Sequence, residues 1–424
     1  MSIQLHFGDW MRVGGETLQG EVELRFPQII KDEIEEVHVK LRGRVQSKVG
    51  RQVGQTYVVQ TERIETAREN VSVWTKGSAW PLTDEGILRI PFQFLLPLDV
   101  QPSCKYGGIS KDGDVSYLIE AVGVRNGLLS LNRRVSKPFA VVPPDPVGLE
   151  LRKSLLSGWT GPLRTISKSE NMRRGVWGSY AESKAEVRFS DMSPYLIFCA
   201  SAHGQYWSQK LIIPDLSMFP LFTKIPFTLR ITTTTKEMKY DEKDEQKEVF
   251  PEPPRTPQAV IFILRRKMKV NAKGWKDNGQ ETIGHLGGLG KDSESPATES
   301  QSVSLTFDKK WVSLGDEKKV GSWRQETVVE SAFELKCTPS FLTPILEQRN
   351  YLRVKIVFPG IGNNIEEDIP IEVTAGVITP TADAGAPLYE GPAENLDLPP
   401  TYWSATAWDD GDEKINPFAS KDKS

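Results

Sequence analysis

The chain has 424 residues, too many for one ordinary hydrophobic core, so two domains are expected. Its formal charge of −3 argues against general nucleic-acid binding. Its three cysteines, Cys104, Cys199 and Cys337, match neither a zinc site nor a redox pair in spacing, which suits a reducing, cytosolic setting.

Residues 1–10 lack the basic and apolar regions of a secretory leader. No apolar run approaches the ~18–20 residues that span a bilayer, so any membrane association is expected to be peripheral or through partners.

Along the chain, residues 21–26 alternate, with Val22, Leu24 and Phe26 on one face of a half-buried strand. Residues 36–42 repeat the pattern, with Val37, Val39 and Leu41 inward and His38, Lys40 and Arg42 outward. Residues 44–80 hold a weaker strand around Tyr57-Val58-Val59, read as part of a hairpin. Leu88, Ile90, Phe92, Phe94 and Leu96 alternate next, and Pro91 inside that run marks an edge strand or a bulge. Strands over 115–124 and 135–142 close the set, and Pro143-Pro144-Asp145-Pro146 reads as a stiff linker.

Residues 146–180 read as a basic interdomain segment with Arg152, Lys153, Arg164, Lys168, Arg173 and Arg174, suited to a solvated loop or to anionic lipid. Strands resume at 185–189 and at 225–231, where Ile225, Phe227, Leu229 and Ile231 alternate. The charged run 236–248 reads as a solvated loop. Residues 259–264 are unbroken apolar and read as a strand buried on both faces. Residues 273–302, rich in Gly, Ser, Glu and Lys, read as a disordered insert. Strands over 328–335, 352–358 and 369–373 complete the second set. The fold class that follows is all-β, two antiparallel sandwiches over 1–145 and 181–377, then a disordered acidic tail over 378–424.

Chemistry-bearing clusters are sparse. His6, His38, His203 and His285 are scattered without ligand spacing, and Cys199 reads as a small buried hydrophobe. Gly287-Gly288-Leu289-Gly290 follows no strand and lacks the Lys-Ser/Thr of a phosphate loop. No catalytic residue, metal or cofactor is expected, and the chain reads as a non-enzyme.

The tail carries the sharper signal. Pro399-Pro400-Thr401-Tyr402 is a Pro-Pro-x-Tyr motif. Two prolines pre-set polyproline II backbone, and the tyrosine suits the aromatic-lined groove of a WW domain. Asn416-Pro417-Phe418 resembles the ligand of EH domains in endocytic proteins. Ser295-Pro296 in the insert reads as a phosphosite whose added charge would alter pairing with a basic surface such as Arg173-Arg174.

The order of these pieces resembles the arrestin fold, and within it the fungal α-arrestins. The resemblance lies in Gly20 to Leu24, in Val39 to Gly43, and in Pro91-Phe92-Gln93-Phe94-Leu95-Leu96-Pro97 followed by Ser116-Tyr117-Leu118-Ile119-Glu120-Ala121. In the second domain it lies in Ile225-Pro226-Phe227-Thr228-Leu229 and Tyr351-Leu352-Arg353-Val354-Lys355-Ile356, without the family's usual Gly-Glu pair at that domain's start. It covers roughly residues 1–376. It implies two immunoglobulin-like sandwiches acting as a trafficking adaptor. Such an adaptor links membrane-protein cargo, transporters or receptors, to a WW-domain HECT-type ubiquitin ligase at the plasma membrane or endosomes. The rival expectation is an arrestin-fold scaffold of the retromer-associated type, which sorts cargo without ubiquitin and has no need for Pro399, Pro400 and Tyr402.

Overall fold

The computed structural model describes residues 1–8, 11–81, 86–107, 110–126, 131–169, 172, 207–216, 218–256, 259–285, 304–314, 320–358 and 363–379. Strands make up 64% of these residues. The helices among them span 6, 11 and 4 residues.

In the first half, Ile3–His6, Thr17–Arg25 and Ile87–Leu95 form a three-stranded antiparallel sheet. A second sheet is ordered Thr56–Thr75, Ile34–Val53, Lys111–Arg125, with Cys104–Gly107 and Arg133–Phe139 also on the last strand. Their facing side chains, Val22, Leu24, Val37, Val39, Leu41, Phe94, Tyr117 and Ile119 among them, form one hydrophobic core. Phe26 is buried as its alternation suggests, yet it opens the helix Phe26–Lys31, because Pro27 follows and presets helical φ. Among the described residues Ile87–Leu95 pairs only with Thr17–Arg25, so Pro91, opposite Glu21, lies on an edge strand there.

The hairpin within residues 44–80 is far longer than its composition suggests. Ile34–Val53 and Thr56–Thr75 run 20 residues each and meet at Gly54, whose φ is 61°. Most of the second strand faces solvent, so its polar side chains mask the alternation.

Three readings are corrected. The segment 146–180 is not merely a linker: it holds the helix Pro146–Leu156 and the strand Leu163–Ser169, which pairs with Trp207–Pro214. Pro146 sits at the helix's first turn, and the Asp145 carboxylate accepts from the Gly148 N–H at 2.9 Å. The run at 259–264 belongs to the longer strand Val260–Ala272 and is buried on one face, with Ile261 and Ile263 half-exposed. The proposed insert from 273 begins instead as the strand Trp275–His285, paired with Val260–Ala272 around a turn at Gly274 of φ 84°. Its polar side chains fit a strand with one face to water. Residues 286–303 lie outside the described residues.

In the second half, Lys224–Thr234 pairs with Trp207–Pro214 and Val320–Glu334, and Ser304–Ser313 forms the edge beyond the latter. The facing sheet is ordered Trp275–His285, Val260–Ala272, Leu346–Val357, Asn364–Ile371. Between them lie Phe227, Leu229, Phe262, Phe333, Leu352 and Val354, with the Phe227 and Phe262 rings 4.7 Å apart.

The two cores do not divide cleanly along the chain. Val260, Phe262 and Leu264 pack into the second core, whereas Met268, Val270 and Ala272, later on the same strand, pack into the first. Leu346 also joins the first core, and Leu352, Val354 and Ile356 on its strand join the second. A third, smaller cluster gathers Met11, Val13, Ala140, Val142, Ala375 and Val377. Among the described residues no helix is long and apolar enough to cross a membrane.

Candidate functional site

The strands Val260–Ala272 and Leu346–Val357 bury every second residue, so the intervening residues form one open sheet face. In register on that face stand Lys267 between Gln280 and Arg349, and Lys269 between Asn278 and Glu347. With Tyr351 they line a cleft of about 420 Å³. The cleft lies on the back of the segment whose inner face joins the two cores.

Charge on this face is lopsided. Arg265, Lys267, Lys269, Arg349, Arg353 and Lys355 share it with the carboxylates Glu347, Glu366 and Asp368. Each carboxylate is occupied. Glu347 accepts from Lys269 at 2.8 Å and from Arg349. Asp368 is gripped by the Arg353 guanidinium at 2.7 and 2.8 Å and approached by Arg265 at 3.4 Å. Lys355 meets Glu366 at 2.6 Å. The hydrogen bond from Lys269 holds Glu347 below its ordinary carboxylate range, and those from Arg353 and Lys355 do the same for Asp368 and Glu366.

Lys267 differs. Its ammonium rests 4.6 Å from the centre of the Tyr351 ring, and it makes no ion pair with a described carboxylate. The cleft therefore offers a cation on an aromatic platform, flanked by the amides of Asn278 and Gln280. Such a surface suits an extended chain with acidic and polar side chains.

Directly beneath, the inner face is welded to the first half. Arg266 is 5% exposed, forms an ion pair with Glu281 and donates to the Lys105 carbonyl at 2.8 Å. Ser47 donates to the Asn271 carbonyl at 2.6 Å, and Lys111 meets Asp277 at 3.2 Å. The cleft is thus backed by a hydrogen-bonded junction.

Most of the residues singled out in the sequence are not among those described. Ser295, Pro399, Pro400, Tyr402, Asn416, Pro417 and Phe418 lie outside the described residues, as do Cys199, Arg173 and Arg174. His38 sits on the outward side of its strand, 3.3 Å from Glu36. Cys104 and Cys337 are both buried, and the Cys104 thiol lies 3.1 Å from the Gln348 side-chain oxygen. The basic stretch loses two of its cations to internal roles. Arg152 is buried and donates to main-chain carbonyls, and Lys168 pairs with Glu367 at 3.1 Å.

The cleft itself went unread in the sequence. Its signal was the alternation of basic and apolar residues in Lys267-Met268-Lys269-Val270, with Arg349 and Tyr351 on the neighbouring strand. Among the described residues no group of three or more His, Cys, Asp or Glu is placed to hold a metal ion. No known family model matches the chain, and no curated protein matches it in sequence.

Proposed function

We propose that this protein is a non-enzymatic, arrestin-like trafficking adaptor. It binds the cytosolic tails of membrane-protein cargo and recruits a WW-domain ubiquitin ligase of the HECT type, promoting cargo ubiquitination and endocytosis. The observation that carries the reading is Pro399-Pro400-Thr401-Tyr402, downstream of the last described strands. The layered all-β body and the resemblance of its strand order to α-arrestins support it. The Lys267–Tyr351 cleft supplies a surface for an acidic cargo segment. Asn416-Pro417-Phe418 adds a contact for EH-domain endocytic proteins, and Ser295 is a phosphosite in this reading. The protein works in the cytosol and is drawn to the plasma membrane or endosomes by its partners.

A short proline-rich epitope binds in the micromolar range, about −7 to −8 kcal/mol. Titration of a WW-domain array with a peptide of residues 395–409 tests the reading. Tyr402→Ala weakens binding by about tenfold or more, or ~1.4 kcal/mol, because ring and hydroxyl are lost together. Equal affinities for the two peptides would leave the ubiquitin-independent scaffold as the better account.

A further inference from the structure

The last described stretch, residues 373–379, ties the two halves together. Val373 and Thr374 pair in parallel with Phe219 and Pro220. Arg152 donates to the Ala375 carbonyl at 3.2 Å, and the Gly376 N–H donates to the Asp145 carboxylate at 2.9 Å. The Asp145 N–H in turn donates to the Val377 carbonyl at 2.5 Å. Ala375 and Val377 are buried beside Met11, Val13, Ala140 and Val142.

Past Val377 the grip narrows to one side chain. Ile378 is exposed, and the half-buried Thr379 donates its hydroxyl to the Gly14 carbonyl at 2.6 Å. The Gly14-Gly15 turn is shaped around it. Gly15 has φ +82°, and a Cβ there would lie 3.0 Å from the Thr379 hydroxyl oxygen. The Gly14 N–H donates to the Val142 carbonyl and the Gly15 N–H to the Leu96 carbonyl, each at 3.0 Å. The turn therefore connects the linker, a strand end and the exit of the tail.

Thr379 is followed by Pro380, the dipeptide read by proline-directed kinases. Three other described threonines precede proline: Thr256, exposed in the loop before Val260–Ala272; Thr338, which is buried; and Thr343, whose hydroxyl bonds within its own turn to Leu346.

We propose that Thr379 is a phosphorylation site and that its modification unlatches residues 375–379 from the Gly14-Gly15 turn. The Thr379 oxygen attacks the γ-phosphorus of ATP. An O–P bond forms, the bond to ADP breaks, and the hydroxyl proton passes to the kinase's base. The product carries roughly −1.5 to −2 charges and only acceptor oxygens. The donor to Gly14 is gone, and an anion faces a carbonyl oxygen. Arg12, the cation on this turn, is already bound to Glu16 at 2.5 Å. Opening then exposes Val377 and loosens the contacts of the linker helix with the C-terminal strand. This does not depend on what the tail recruits.

The test uses the full-length chain with magnesium, ATP and a cyclin-dependent kinase, with mass-spectrometric site mapping and amide hydrogen exchange. Phosphate is expected at Thr379, and the Arg12, Gly14 and Gly376 amides should exchange about tenfold faster or more in the phosphoprotein. Thr379→Glu should move the same amides in the same direction. Thr379→Val, which removes only the donor, should move them less. Absence of phosphate at Thr379, whether or not a peptide of residues 374–384 is modified, overturns the proposal. So do wild-type exchange rates in the phosphoprotein or in Thr379→Glu.

Discussion

The Tyr106 hydroxyl, from the first half, lies directly over the α-carbon of Gly279 in the second. A Cβ added at Gly279 would sit 1.4 Å from that oxygen. Tyr106 is buried, and burial pushes its phenol pKa up, so it stays a neutral hydroxyl at this junction. Gly279→Ala must separate the halves or displace the ring, at a cost of about 1–3 kcal/mol. Tyr106→Ala removes the obstacle, so the double variant should lose less than the two single losses added together. Urea denaturation of the four proteins measures this coupling, and strictly additive losses would show that the two residues do not meet.

Arg152 is a buried cation satisfied by oxygen dipoles. It donates to the Leu221 carbonyl at 2.6 Å, the Ala375 carbonyl at 3.2 Å and the Thr223 hydroxyl at 3.2 Å. Burial lowers its pKa, and Asp145 and Glu334 work against that shift. Arg152→Met takes the donor from the Ala375 carbonyl and leaves the Leu221 carbonyl only the Thr223 hydroxyl at 3.0 Å, at about 1–3 kcal/mol per buried group left unpaired. Arg152→Lys should rescue only part, because one ammonium does not reproduce the fork in which Nη2 serves both carbonyls while Nε reaches the Thr223 hydroxyl. Thermal unfolding of the two variants decides it; full rescue by lysine would mean that charge alone matters there.

Asp368 supplies a pH dependence whose sign follows from its partner. The hydrogen bond from Arg353 holds its pKa in the folded protein below the ordinary 3.8. The stabilisation is therefore fully present above the unfolded value and is lost as pH falls through the lower folded one. The Asp368 side chain is 32% exposed, so solvent screening limits the pair to roughly 0.5–1 kcal/mol. Asp368→Asn should lower the melting temperature slightly at neutral pH and flatten the loss below about pH 4. Parallel acid limbs for wild type and variant would count against the pair.

The cleft predicts a salt-sensitive interaction. An acidic peptide titrated against the full chain should bind through Lys267, and Lys267→Glu should weaken it by about tenfold at low ionic strength. The difference should shrink as added salt screens exposed charge. Tyr351→Ala, which removes the platform, should weaken binding without changing net charge. Identical isotherms for wild type and Lys267→Glu would remove the cleft as the peptide site.

Much of the β architecture was legible because alternation is local. Val37, Val39 and Leu41, or Ile225, Phe227, Leu229 and Ile231, announce a buried face within a few residues, and each of them is buried. What failed to announce itself was non-local. Thr56–Thr75 has one paired strand among the described residues and a mostly wet surface, so its sequence looks like loop. Trp275–His285 is a strand because Val260–Ala272 stands beside it, despite its Gly and Lys. The cleft needs two strands brought together from residues 267 and 351, and no short-range pattern records that pairing. Arg152 read as a surface charge because its acceptors are carbonyls, which leave no mark in a sequence.

The shared strand Val260–Ala272 has a consequence for how the molecule comes apart. Its first apolar residues complete one core and its last complete the other. Cutting the chain at the proline-rich linker would not yield two self-sufficient pieces. The N-terminal piece would keep its own strands yet lack Met268, Val270, Ala272, Phe341, Ile345 and Leu346, leaving its core open where those side chains close it. Loss of structure that begins in either half removes a wall from its neighbour, so the two halves are expected to unfold together despite their separate sheets.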